Sequence, residues 1–222
     1  MIIPAFSLGR TQEIVFTLNK LDLHGLLPDI KIFVDSPLAT DATNITRQFS
    51  HLLTREVQRF SKSRNDPFGF QKLSYVKDKA ESQKLNASKS PSVIISAAGM
   101  ADAGRVKHHI YHGIEDPKNT ILFVGYAEPN SLGGRLQNGA KKVTIFGDEK
   151  QVKAEIKVIN SLSAHADYQE MILYLKSQNA GRVKKLFLVH GEQKVQQKFK
   201  LKLEESGHHS VVIPNKGDIF ST

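Results

Sequence analysis

The chain has 222 residues, with 31 Lys+Arg against 22 Asp+Glu, a formal charge of +9 and 40% hydrophobic residues. That length suits one large or two small domains and can bury a core without covalent staples. The lack of cysteine excludes disulfide frameworks, zinc-finger scaffolds and thiol catalysis; no apolar run approaches the roughly 20 residues of a membrane span, and Met1-Ile2-Ile3-Pro4-Ala5-Phe6 has no secretory pattern, so a cytoplasmic protein is expected.

Along the chain, short β-rich runs alternate with helical ones. Ile2-Ile3 opens apolar, and Ser7-Leu8-Gly9-Arg10 leads as a loop into a helix with Ile14, Leu18 and Leu21 at helical spacing and Gly25 as terminator. Ile30 to Val34 predicts a buried strand and Asp35-Ser36-Pro37 the turn after it. A polar helical segment is expected from about Ala39 to Phe60, and a loop at Asn65-Asp66-Pro67-Phe68-Gly69. Leu73–Val76, Val93–Ile95 and Ile121–Val124 read as strands; Ala80–Leu85 and Arg105–Tyr111 read as helices. From Lys141 the texture changes. Val143–Phe146, a Gly147-Asp148-Glu149-Lys150 turn and Val152–Ile159 predict a β-hairpin, followed by a helix from Tyr168, a strand over Val183–Val189, a helix from Glu192 and a last strand at Val211–Ile213.

Strands alternating with helices imply an α/β fold with a mostly parallel, Rossmann-like sheet flanked by helices. The change of texture puts a domain boundary near residue 137. Ligands of such sheets gather beyond the carboxyl ends of the strands, where helix N-termini point their amides. Four strand-end loops here are rich in small and polar residues: Ser7–Arg10, Asp35–Pro37, Ser96–Gly99 with Gly104-Arg105, and Gly125-Tyr126 with Ser131–Arg135. Each alone is an ordinary loop; several together suggest a phosphate-lined groove. The sequence pI of 9.6 points to a polyanion, nucleic acid before an anionic membrane surface. Its plain alternative is a solvated lysine face, which the Lys141-Lys142 and Lys184-Lys185 pairs suit.

Two histidines follow apolar runs. His165 comes after the predicted hairpin, and His190 ends Phe187-Leu188-Val189. Each is placed to act as a metal ligand or proton donor, or simply to bond a nearby backbone group. Asp167 has its own explanation as a helix N-cap, with Glu170 completing a capping box. His108 and His112 share a helix face, yet no zincin Glu accompanies them; with His109 they read as surface or groove residues.

Six ordered motifs carry a resemblance. Pro4-Ala5-Phe6-Ser7-Leu8-Gly9-Arg10-Thr11-Gln12-Glu13, Asp35-Ser36-Pro37-Leu38-Ala39, Ala98-Gly99-Met100, Gly104-Arg105-Val106-Lys107-His108-His109, Ser163-Ala164-His165-Ala166-Asp167 and Val189-His190-Gly191-Glu192 closely resemble the β-CASP nucleases of the metallo-β-lactamase superfamily. They are most similar to RNA-processing enzymes akin to the nuclease subunit of the cleavage and polyadenylation factor. The resemblance implies that residues 1–137 form the β-CASP cassette and 138–222 the C-terminal segment of the metallo-β-lactamase domain. It implies a two-zinc phosphodiesterase acting on RNA, or alternatively on single-stranded DNA, in which His165 is catalytic at the leaving group or scissile phosphate and His190 is a metal ligand. Arg10, Ser36, Ser96, Gly99 and Arg105 would line the nucleic-acid groove.

The family's His-x-His-x-Asp-His string occurs nowhere here. A catalytic zinc takes about three protein ligands, and His190 supplies one. The chain is therefore expected to be the C-terminal part of a longer enzyme, inactive alone, with the missing N-terminal half as a partner and a homodimer suggested by the exposed sheet edge. The alternative is a non-catalytic basic module that binds nucleic acid or assembles with another subunit. A Rossmann nucleotide-binding enzyme is disfavoured, since no Gly-x-Gly-x-x-Gly follows the first strand.

Overall fold

The computed structural model describes residues 1–64, 66–162 and 165–221. They divide into two compact units, Met1–Ser163 and Ala164–Thr222. Within the first, strands β1 (Ile2–Pro4), β2 (Lys31–Asp35), β3 (Leu73–Val76), β4 (Ser92–Ser96), β5 (Thr120–Phe123) and β8 (Glu155–Val158) form one sheet in the order β3-β2-β4-β1-β5-β8. Every neighbouring pair in it is parallel. The helices are α1 (Arg10–Leu23), α2 (Pro37–Gln48), α3 (Arg55–Arg64), α4 (Lys79–Ala87), α5 (Arg105–Gly113) and the short α6 (Leu132–Gln137).

The core has two parts because the sheet is covered on both faces. Ile3, Ile32, Val34, Val93 and Ile95 pack with Ile14, Val15 and Phe16 of α1. Ile2, Ile121 and Phe123 instead join Val106 and Ile110 of α5 and Leu132 and Leu136 of α6. Ile2 and Ile3 fall in different clusters because successive strand residues point to opposite faces. This accounts for the near-continuous apolar runs of the central strands.

Two expectations about elements are corrected. The polar stretch 39–60 is not one helix: α2 ends at Gln48, a turn of 3₁₀ helix covers Ser50–Leu52, and α3 starts at Arg55. The hairpin exists with a different second strand. β6 (Lys142–Ile145) pairs antiparallel with β7 (Asp148–Gln151), and Phe146 (φ 55°) and Gly147 (φ 93°) make the two-residue turn. Two positive φ values give the twist that suits a tight hairpin. The stretch read as the second strand continues as β8, which crosses to lie parallel beside β5, guided by the Lys153 and Ala154 amides donating to Ile114 O.

In the second unit, α7 (Tyr168–Leu175) and α8 (Gln193–Glu205) accompany β9 (Leu186–Phe187) and β10 (Val211–Val212), which pair in parallel. Leu203, Val211 and His208 are buried, and the Phe187 and Phe220 rings meet edge to face at 4.9 Å. Asp167 caps α7: its carboxylate accepts from the Gln169 and Glu170 amides, both at 2.8 Å, while Glu170 accepts from the Asp167 amide at 2.9 Å. The expected capping box is present. No helix among the described residues is long and apolar enough to cross a membrane.

Candidate nucleic-acid interface

Because the strands of the large sheet run the same way, the loops after β1, β2, β4 and β5 emerge at one edge, and α1, α2, α5 and α6 begin there. Their partial positive ends face whatever lies beyond it. The helices start differently. Ser36 Oγ accepts from the Ala39 amide at 3.2 Å in α2, and Ser131 Oγ from the Gly134 amide at 2.9 Å in α6. No side chain caps α1 or α5, whose N-cap residues are Gly9 and Gly104. The same edge exposes Phe6, Leu8, Leu38, Met100 and Tyr126, a set of apolar and aromatic groups that single-stranded bases can stack against.

Beneath this rim lies a buried polar knot. Asp35, at the end of β2, is 0% exposed. Its carboxylate accepts from Arg105 Nη1 at 2.6 Å, from His109 Nε2 at 2.7 Å and from Ser82 Oγ at 2.5 Å. Its backbone carbonyl accepts from Ser96 Oγ at 2.7 Å. The other ring nitrogen of His109, Nδ1, lies 2.6 Å from Asn86 Oδ1. Arg105 also donates to Val76 O and Lys77 O. The knot thus ties β2, β4, α4 and α5 together. Burial pushes the Asp35 carboxyl up, but the hydrogen bonds from His109, Ser82 and Arg105 outweigh it and hold the group below the usual carboxylate range.

The loop between β4 and α5 is braced by the start of α6. The Gly133 amide donates to Met100 O at 2.9 Å, and Asp102 Oδ1 accepts from the Leu132 amide at 2.7 Å. Gly104 has φ +76°, and a Cβ there would meet Ala97 O at 2.5 Å. Only glycine fits that position without strain.

The expected groove residues therefore separate. Arg10 opens α1 at the rim, and its side chain pairs with Glu13. Ser36 is buried as the α2 cap. Gly99 lies against the turn after β1, a Cβ there being 3.6 Å from Phe6 N. The Ser96 hydroxyl and the Arg105 guanidinium are turned inward onto Asp35. His108 and His112 are exposed, whereas His109, read from sequence as a surface or groove residue, is buried. Its place on the inner face of α5 with Val106, Ile110 and Gly113 is the periodicity signal for that burial.

His165 and His190 are exposed in the second unit; Ser163 and Ala164 of the His165 motif lie outside the described residues. His190 has φ 69° and is followed by Gly191 at φ 110°. Gln196 of α8 fixes this reversal by donating to Leu188 O at 3.2 Å and His190 O at 3.4 Å.

Comparison with known proteins gives two family matches. Residues 11–136 match the Beta-Casp domain, and residues 149–214 the Zn-dependent metallo-hydrolase RNA specificity domain. Ribonuclease TTHA0252 of Thermus thermophilus is 31% identical over 194 residues, 87% of this chain and 43% of the relative. Transcription termination factor FttA of Methanosarcina mazei is 30% identical over 200 residues, 87% of this chain and 31% of the relative. An RNase J-like protein of Methanocaldococcus jannaschii is 29% identical over 220 residues, 99% of this chain and 49% of the relative. The chain spans less than half the length of each of these curated relatives. Among the described residues, no three or more His, Asp or Glu side chains gather where they could hold a metal ion. These residues alone do not fit the zinc that the second family description names.

Proposed function

Since this chain belongs to the β-CASP family of metallo-β-lactamase-fold nucleases, we propose that it is the RNA-holding part of a zinc-dependent RNA-processing nuclease that hydrolyses phosphodiester bonds, in the manner of mRNA 3′-end processing. The observation that carries this reading is the convergence of four parallel strand ends, two uncapped helix starts and exposed apolar side chains on one edge. Phosphates are held there by Arg10 and by the backbone around Ser36 and Gly99, contacts that carry no sequence information. Ser96 and Arg105 serve the same surface from beneath, by fixing Asp35 and the start of α5.

In this reading residues 1–137 act as the RNA-holding cassette and 138–222 return to the metal-binding domain. His165 positions the scissile phosphate or donates a proton to the leaving oxygen. His190 adds one ligand to a zinc site that side chains outside the described residues complete, so the 222-residue chain alone binds RNA without cutting it. The exposed apolar residues of the second unit, among them Leu173, Tyr174 and Val189, support a need for such a partner. A non-catalytic RNA-binding or assembly module is the competing reading, favoured by the lack of a metal cluster among the described residues.

The test uses a longer protein that joins this chain to a complete metal site. His165→Ala there lowers the single-turnover cleavage rate by about a hundredfold or more and leaves RNA affinity within about twofold. Equal losses of rate and affinity would make His165 a binding residue and refute its assignment.

A further inference from the structure

We propose that the Phe146–His108 pair is a second RNA contact, a platform that stacks one unpaired base of a single strand as it leaves the strand-end rim. The inference rests on the RNA reading above and adds a site to it. Phe146 occupies the first position of the β6–β7 turn, at φ 55°. Asn, Asp or Gly ordinarily takes that place, because a positive φ is unfavourable for a bulky residue. Phe146 does not recover this cost by burial, being 50% exposed. Its ring stays outside the core that holds Val143 and Ile145 of the same hairpin, and lies on the outer surface of α5. A strained, exposed aromatic is the kind of outlier from which function is inferred.

Its surroundings indicate the ligand. The His108 ring lies 4.6 Å from the Phe146 ring, 32° from parallel, and Tyr111 lies 5.7 Å away. The Lys107 nitrogen sits 4.9 Å from the Phe146 centroid, where its charge meets the phosphate of a nucleotide whose base lies on the pair. The nearby acids are already engaged: Glu149 with Lys142, Glu115 with Lys150, and Asp148 with the Tyr111 hydroxyl. Among the described residues Lys107 makes no salt bridge, so its ammonium remains available to a phosphate. Lys107 and His108 follow Arg105 within the first turn of α5, about 5 Å along the helix. One strand of RNA can therefore run from the rim onto the platform.

The chain contains no tryptophan, so Phe146→Trp places a single reporter on the platform and Phe6→Trp a single reporter on the rim. Each is titrated with a single-stranded dodecauridylate at low salt, alongside the affinity of Phe146→Leu. Stacking quenches the emission of Trp at position 146, and Phe146→Leu binds the RNA about tenfold more weakly with an unchanged unfolding midpoint. The platform is refuted if the reporter at position 6 responds while that at position 146 is silent. If both are silent and no RNA binds, the RNA reading falls with it.

Discussion

Asp35 gathers Ser82, Arg105 and His109, which lie 47, 70 and 74 residues further along the chain. A buried carboxylate is tolerated only when donors replace its lost water, and here they do. Asp35→Asn removes the charge that Arg105 faces and is expected to cost about 3 kcal/mol in urea unfolding at neutral pH. The sign of the pH effect follows from the lowered pKa. The stabilisation is complete above the unfolded value of about 3.9 and is lost as pH falls through the lower folded value. Wild type therefore loses stability below about pH 4 more steeply than Asp35→Asn; parallel acid-range curves would contradict this account. Asp35, Ser96 and Arg105 were legible in the sequence as strand-end residues. That Ser82, Asn86 and His109 meet there was not, because the lateral order of parallel strands decides which helices meet, and local spacing does not encode that order.

Helix starts and tight loops set the shape of the rim. Ser36→Ala removes the α2 cap and is expected to cost about 1 kcal/mol. Gly104→Ala combines a positive φ with a 2.5 Å approach to Ala97 O, so a loss of about 2 kcal/mol or more is expected. Gly25 has φ +67° and open space around it, and Gly25→Asn serves as the control with little loss. Thermal unfolding of the three variants checks the order; Gly104→Ala as stable as Gly25→Asn would show that the loop gives way. The strands and most helices were legible from apolar runs. The hairpin register was not, since a Phe-Gly turn lacks the Asn-Gly signal and the alternating residues of β8 match a hairpin strand as well as a sheet edge. α6 was hidden in a glycine-rich stretch: Gly133 and Gly134 are there because Cβ atoms would strike Met100 O at 2.8 Å and Glu128 O at 2.0 Å.

The whole chain carries a formal charge of +9 and is proposed to grip RNA mainly through phosphates. Binding of this kind weakens with salt, log K falling by about 0.7 per phosphate contact for each tenfold rise in salt. Family membership is legible in the sequence itself, because its six motifs stand in the family's order along the chain. The metal site cannot be assembled from the described residues, because the ligand-bearing string typical of the family is not in this sequence. The most direct measurement is the fluorescence anisotropy of an end-labelled single-stranded RNA, followed over time after mixing with the 222-residue chain in zinc. The account predicts a rise that added salt reverses and no later decay; no rise at low salt, or a zinc-dependent fall to the value of short fragments, would contradict it.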